Sequence, residues 1–182
     1  ATYAGLRRHW QSMTDEMRRL ETENNRIFID AYGLQDELAP DVPLEEITLT
    51  GNPHYRYGAG KSEAEYARLQ AADTMRELVS YAVGCMFGRY SLDKPGLILA
   101  NAGQSLADYL AQVPNPTFLP DKDNVIPVLS GDWFADDAPE RFKRFLRTAF
   151  GDAHFAENLK FVEDSLGRDI RSYFLREFYD HH

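Results

Sequence analysis

A chain of 182 residues makes one large domain or two small ones, and 43% hydrophobic with 13% aromatic residues supplies a core large enough to exclude a disordered chain. Its formal net charge of −9, from 29 acidic residues against 20 Lys and Arg, excludes a domain that grips a nucleic-acid backbone by its overall charge. No stretch approaches the roughly 20 apolar residues of a membrane span, and "ATYAGLRRHW" lacks the apolar core of a signal peptide, so the expectation is a cytoplasmic protein with no membrane partner.

The first predicted element is a long amphipathic helix from about Tyr3 to Tyr32, stopped by Gly33. Leu6, Trp10, Met13, Met17, Leu20, Asn24, Ile27 and Ala31 recur in alternating steps of four and three, a heptad seam whose one polar member is Asn24. Arg7, Arg8, Asp15, Glu16, Arg18, Arg19, Glu21 and Glu23 charge its flanks. The plainer reading is a helix docked along a bundle; the sharper one is a coiled-coil or interdomain seam. Residues 34–61 follow as a Pro/Gly-rich loop region, in which Glu46 to Thr50 could form one short strand.

Residues 62–182 read as a helical domain. Ser62 and Glu65 make a capping box for a helix carrying Leu69, Met75, Leu78, Val79, Ala82, Val83 and Met86. Its last turns, "VSYAVGCMFGRY", are apolar nearly all round, which predicts the most buried helix, with Gly84 and Gly88 marking close approach of a neighbour. A short helix near Ser105 to Gln112 comes next, then a Pro-rich loop and a possible edge strand in "VIPVL", limited by Pro127. Asp137 and Glu140 cap a helix carrying Phe142, Phe145, Leu146, Ala149 and Phe150. After Gly151 a second helix carries Phe155, Leu159, Phe161 and Val162 to Gly167, and a third carries Ile170, Tyr173, Phe174 and Phe178. The fold class is mainly α: a helical bundle with long loops and at most two short minor strands.

"TLTGNPHYRYGAGKS", residues 48–62, holds fragments of two motifs. A phosphate-binding loop needs Gly-x-x-x-x-Gly-Lys-Ser, because the first glycine starts the turn whose N–H groups cradle phosphate. Counting back from Gly60, that position is Tyr55, so Gly60-Lys61-Ser62 reads as a loop ending in an N-cap. Asn52-Pro53-His54-Tyr55 is one letter from the Asn-Pro-Pro-Tyr of adenine-N6 methyltransferases, where the Asn and a backbone carbonyl accept from the target amino group and the aromatic ring stacks on the flipped base. That chemistry also needs an S-adenosylmethionine site on a parallel sheet, and no parallel-sheet pattern exists in the chain. Asn-Pro is also a common turn starter. Tyr55, Arg56 and Tyr57 could stack on bases, against which stands the acidic charge.

The remaining residues converge on no site. His9, His54, His154, His181 and His182 are scattered, and His154 with Glu157 reads as a surface pair rather than the start of a metal site. The lone Cys85 permits no internal disulfide and reads as an inert core thiol, while Arg89 reads as a helix C-terminal cation. No catalytic, cofactor-binding or metal-ligating residue is therefore assigned.

Three long stretches go beyond pattern: "ENNRIFIDAYGLQDELAPDVPLEEITLTGNPHYRYG", "ADTMRELVSYAVGCMFGRYSLDKPGLILAN" and "DNVIPVLSGDWFADDAPERF". They closely resemble an internal part of the BREX phage-defence adenine-specific DNA methyltransferases, the PglX family, and the resemblance runs essentially end to end. It implies one region of a much larger enzyme, between the methyltransferase and target-recognition domains, with the genuine Asn-Pro-Pro-Tyr and the S-adenosylmethionine site upstream. By this resemblance the region is a non-catalytic helical connector, inactive alone and without its own cofactor. Its partners are the rest of the parent methyltransferase and, through it, DNA. Gly51 departs from the family, where Cys is usual, so no role is carried over at that position. The second expectation is a protein-interaction module that docks other defence components or a phage inhibitor, resting on the net charge and on exposed aromatics around Phe118, Trp133 and Phe134.

Overall fold

A computed structural model describes residues 2–131 and 134–181; Trp133 and His182, named above, lie outside the described residues. The elements in order are α1 (Tyr3–Tyr32), α2 (Pro53–Tyr57), α3 (Glu63–Met86), α4 (Leu106–Gln112), α5 (Ala138–Phe150), α6 (Phe155–Leu166), α7 (Ile170–Arg176) and α8 (Phe178–His181), with single 3-10 turns at Leu44–Glu46 and Asp152–His154. The fold is mainly α, and no strand occurs among the described residues. The chain divides into two compact units, residues 1–70 and 71–182.

In the first unit, α1 begins at Thr2, whose hydroxyl accepts from the Gly5 N–H, and ends at Gly33 in the left-handed conformation, as its sequence predicts. The covered stripe shares only Trp10 with the heptad seam. Thr14 and Ile29 are buried and Arg7, Trp10 and Asn25 partly covered, whereas Leu6, Met13, Met17, Leu20 and Ile27 are exposed. The reason is what α1 meets. The loop region presents carbonyls that need donors, and Asn25 Nδ2 donates to the Pro40 carbonyl at 3.2 Å. The expected strand at Glu46–Thr50 is instead the Leu44–Glu46 turn followed by irregular backbone with Ile47 fully buried. Its carbonyls at Leu44 and Ile47 are taken by the Asn52 side chain, which leaves no ladder to build.

In the second unit, the apolar end of α3 buries Met75, Val79, Ala82, Cys85 and Met86. The helix stops earlier than the apolar run, at Met86. Gly88, with φ of 71°, adopts the left-handed conformation; its N–H donates to the Cys85 carbonyl while the Arg89 N–H donates to that of Gly84, a Schellman closure. Arg89 thus caps through its backbone, and its guanidinium lies 6.0 Å from the Tyr90 ring centroid. α4 is held by reciprocal Ser105–Asp108 capping bonds and buries Tyr109 against Ile98 and Val113.

Asp137 caps α5 by accepting from the Glu140 N–H, with a proline in the first turn. Phe142, Phe145 and Leu146 of α5, Val162 and Leu166 of α6, and Ile170, Tyr173 and Phe174 of α7 are buried. Their rings meet edge to face, Phe142 with Phe174 at 6.4 Å and Phe145 with Phe118 at 5.7 Å. Phe118, expected to be exposed, is therefore a core residue, whereas Phe134 is exposed. The predicted edge strand at Val125–Leu129 is absent because its carbonyls are engaged elsewhere: Pro127 accepts from Ala138 N–H and Leu129 from Arg171. The last predicted helix is broken at Glu177, which leaves the helical region and pairs with Arg168.

Candidate functional site

The two motif fragments occupy one loop of the first unit, and Asn52, His54, Lys61 and Ser62 each have a partner within that unit. Asn52 is completely buried. Its Nδ2 donates to the Leu44 carbonyl at 2.6 Å and to the Ile47 carbonyl at 2.9 Å, while its Oδ1 accepts from the His54 N–H at 3.1 Å as the N-cap of α2. Pro53 follows at the first turn, where its missing N–H costs nothing. An amide has two donors and one acceptor oxygen to offer, and here both donors and the oxygen are already engaged. The side chain is a turn organiser whose loss would strand buried carbonyls.

Gly51 sits under Trp10, and a Cβ there would fall 2.8 Å from the Trp10 ring. A side chain at this position therefore has no room unless Trp10 moves. The Gly51 carbonyl accepts from Gln70 Nε2 at 2.9 Å, and Gln70 Oε1 in turn accepts from Arg7 Nε at 3.1 Å. This relay from α1 through α3 to the loop carries no periodic signal in the sequence.

The aromatic neighbours divide. His54 packs against Tyr66 with ring centroids 4.4 Å apart, and Tyr66 Oη donates to the Gly58 carbonyl at 2.8 Å. Tyr55 is exposed, and the Arg56 guanidinium lies 5.8 Å from the Tyr57 ring centroid. The Gly60-Lys61-Ser62 fragment ends in a cap: Ser62 N–H donates to Glu65 at 2.9 Å and the Glu65 N–H donates to Ser62 Oγ at 3.3 Å. Lys61 donates to the Tyr57 carbonyl, so its ammonium closes the loop. The Ser62 bonds hold the Glu65 carboxyl below its ordinary value.

The other singled-out residues are dispersed. His154 approaches Glu157 at 3.2 Å on an exposed surface, and His181 Nδ1 lies 3.2 Å from Tyr173 Oη. Cys85 is buried; burial pushes its thiol up to about 11, offset in part by a hydrogen bond with Tyr81. Among the described residues no group of three or more His, Cys, Asp or Glu converges as a metal site, and no helix is long and apolar enough to cross a membrane.

Sequence reasoning missed two buried ion pairs in the second unit that hold the loop before α5. Arg171 Nη1 donates to Asp137 Oδ2 at 2.5 Å and to the Leu129 carbonyl at 2.9 Å. Arg141 donates to Asp121, whose other oxygen accepts from the N–H groups of Asp123 and Val125. Burial would raise the Asp121 carboxyl, but those two N–H groups and the Arg141 charge outweigh it and hold it below its ordinary value. Between these pairs the loop exposes Val125, Val128 and Phe134.

No protein-family model matches the chain. It is 36% identical over 166 residues, 91% of its length, to the adenine-specific methyltransferase BrxX of Escherichia coli O9:H4 (strain HS). It is also 36% identical over 183 aligned positions, 93% of its length, to the adenine-specific methyltransferase PglX of Lacticaseibacillus casei (strain Zhang). It spans only 14% and 13% of the length of these relatives. The family named from the three long sequence stretches is thus the one the comparisons return, and the chain is homologous to one segment of the BREX adenine-specific methyltransferases.

Proposed function

We propose that the chain acts as a non-catalytic helical connector of a site-specific adenine-N6 DNA methyltransferase, holding the methyl-transferring and DNA-reading parts at a fixed span. The observation that carries this reading is Asn52. The one residue resembling a catalytic Asn is fully buried, with both amide donors and its oxygen engaged by its own loop. An Asn that polarises a target amino group must keep its oxygen free to accept from it. S-adenosylmethionine and the flipped base then belong to other parts of the methyltransferase, and this segment supplies rigid spacing, which positions reacting groups without touching them.

The test is methylation by a full-length relative with this chain in place of its own segment. Removing the segment should abolish methylation, whereas Asn52→Ala should leave turnover nearly unchanged in protein that still folds. Asn52→Ala should lower the melting temperature, because two carbonyls lose their donor. A drop of about a hundredfold in rate at a temperature where that variant is still folded, the size expected for losing one polarising contact, would contradict the connector reading.

A second reading is favoured by the loop that exposes Val125, Val128 and Phe134 in a chain of net charge −9: a module that docks other defence components or a phage inhibitor. The chain as bait separates the two. A docking module captures a specific partner that Phe134→Ala releases, and a connector captures none through that loop.

A further inference from the structure

Apart from Trp10, which packs over Gly51, the heptad seam of α1 is an apolar face that the first unit leaves open. Met17 is 36% exposed, Leu20 48% and Ile27 59%, with Leu6 and Met13 exposed beside them. In heptad terms Leu6, Met13, Leu20 and Ile27 share one core position (d), and Trp10, Met17, Asn24 and Ala31 the other (a). Solvated apolar side chains at this spacing are what a facing helix covers, knob into hole.

The two flanks of the seam differ. On one flank Arg7 is bonded to Gln70 and Thr14 is buried, so the N-terminal half of that side is turned into the first unit, while Glu21 is partly covered and Phe28 exposed farther along. The other flank carries His9, Glu16, Glu23 and Asp30, all exposed. Glu16 and Glu23 pair with Arg19 and Arg26 within the helix. These are solvent-exposed pairs, which are weak and readily exchanged. The open groove is thus apolar along its floor and acidic along its free edge.

That charge pattern selects the occupant. A second copy placed antiparallel would bring acidic edge against acidic edge, and placed parallel it would set Glu16 against Glu21 of its twin; like charges at these positions disfavour pairing. We infer that the open seam of α1 binds an amphipathic helix of another protein segment, one with an apolar seam of its own and Lys or Arg at the positions facing Glu16, Glu23 and Asp30. Asn24, the single polar core position, sets the register by seeking a polar residue opposite. The inference stands on α1 alone and holds whether the segment serves as a connector or as a docking module.

The test uses the whole 182-residue chain and two synthetic helical peptides, each with Leu at its core positions, one carrying Lys at the flanks and the other Glu. Fluorescence anisotropy should show the Lys-flanked peptide binding at least about tenfold more tightly than the Glu-flanked one, a difference near 1.4 kcal/mol. Met17→Glu with Leu20→Glu adds negative charge, so merely electrostatic attraction would strengthen, while seam docking should weaken by about tenfold or more. Glu16→Lys with Glu23→Lys should reverse the preference between the peptides. Both pairs lie on the exposed face of α1, so the variants should melt as the parent does. Equal binding of the two peptides, tighter binding by the Met17→Glu, Leu20→Glu protein, or sedimentation of the chain as a dimer that those substitutions dissociate would overturn the inference.

Discussion

Tyr90 lies across the backbone of Gly84 so closely that a Cβ on Gly84 would fall 2.4 Å from Tyr90 Cδ2. The ring also stacks on Tyr81, with centroids 5.3 Å apart, and the Tyr81 hydroxyl donates to the Ser91 carbonyl. A glycine inside α3 thus lets the chain reverse directly over the helix it has just left. Gly84→Ala should gain about 1 kcal/mol of helix propensity yet lose more to the clash, for a net destabilisation of about 1–3 kcal/mol. In a Tyr90→Leu background the same substitution should cost markedly less. Urea unfolding of the four proteins measures this, and an equal cost in both backgrounds would rule out the ring as the cause.

Asp137 and Arg171 form the second relationship with a measurable consequence. Asp137 is fully buried and serves both as the N-cap of α5 and as the partner of Arg171. Asp137→Asn keeps an acceptor for the Glu140 N–H but removes the charge that balances the guanidinium, so it should cost about 3 kcal/mol. Asp137→Ala should cost about 1 kcal/mol more, because the cap is lost as well. Arg171→Met strands the carboxylate instead, and the double variant Asp137→Asn, Arg171→Met should cost clearly less than the sum of its parts. Additive effects in that cycle would show that the pair does not couple.

Acid should weaken the fold through Asp121. Its carboxyl is held below its ordinary value in the folded protein, so between the folded and unfolded values the unfolded chain binds more protons. The stabilisation is then fully present above the ordinary aspartate value of about 3.9 and is lost as pH falls through the folded one. Stability measured from pH 6 downward should fall less steeply in Asp121→Asn than in the parent over that acid range. Parallel curves would remove Asp121 from the acid response.

The Cys85 thiol should be inert in the folded chain. It is buried, and burial raises its value to about 11, so almost none is thiolate near neutral pH. A thiol-specific disulfide reagent at pH 8 should label it only as fast as the chain unfolds, with a burst on adding denaturant. Labelling within seconds in native buffer would contradict the packing described for the end of α3.

Much of the helical layout is legible because its punctuation is local. Thr2 and Gly33 bound α1, Asp137 and a proline start α5, and Gly167 ends α6, each through a backbone group satisfied within a few residues. What local pattern does not carry is the destination of long-range donors. The seam of α1 follows the heptad repeat, but α1 docks by Arg7 on Gln70, Trp10 on Gly51 and Asn25 on the Pro40 carbonyl, with Thr14 and Ile29 buried, and of these only Trp10 belongs to the seam. Residues 46–50 and 125–129 have strand composition but no strand partner, and Phe118 lies in an exposed-looking Pro-rich loop yet packs on Phe145. At the candidate site, Asn-Pro already reads as a turn starter; the two carbonyls that Asn52 reaches, eight and five residues back, follow no spacing rule.

The connector reading meets its most direct test in a calorimetric titration of S-adenosylmethionine into the 182-residue chain. With Asn52 locked in its turn and Lys61 closing its own loop, the chain should give no saturable heat at millimolar ligand, and methyl donor should not raise its melting temperature. Stoichiometric binding with a Kd of about a micromolar, near −8 kcal/mol, and its loss in Asn52→Ala, would mean that the loop is a methyl-donor or catalytic site and that the chain is not a connector.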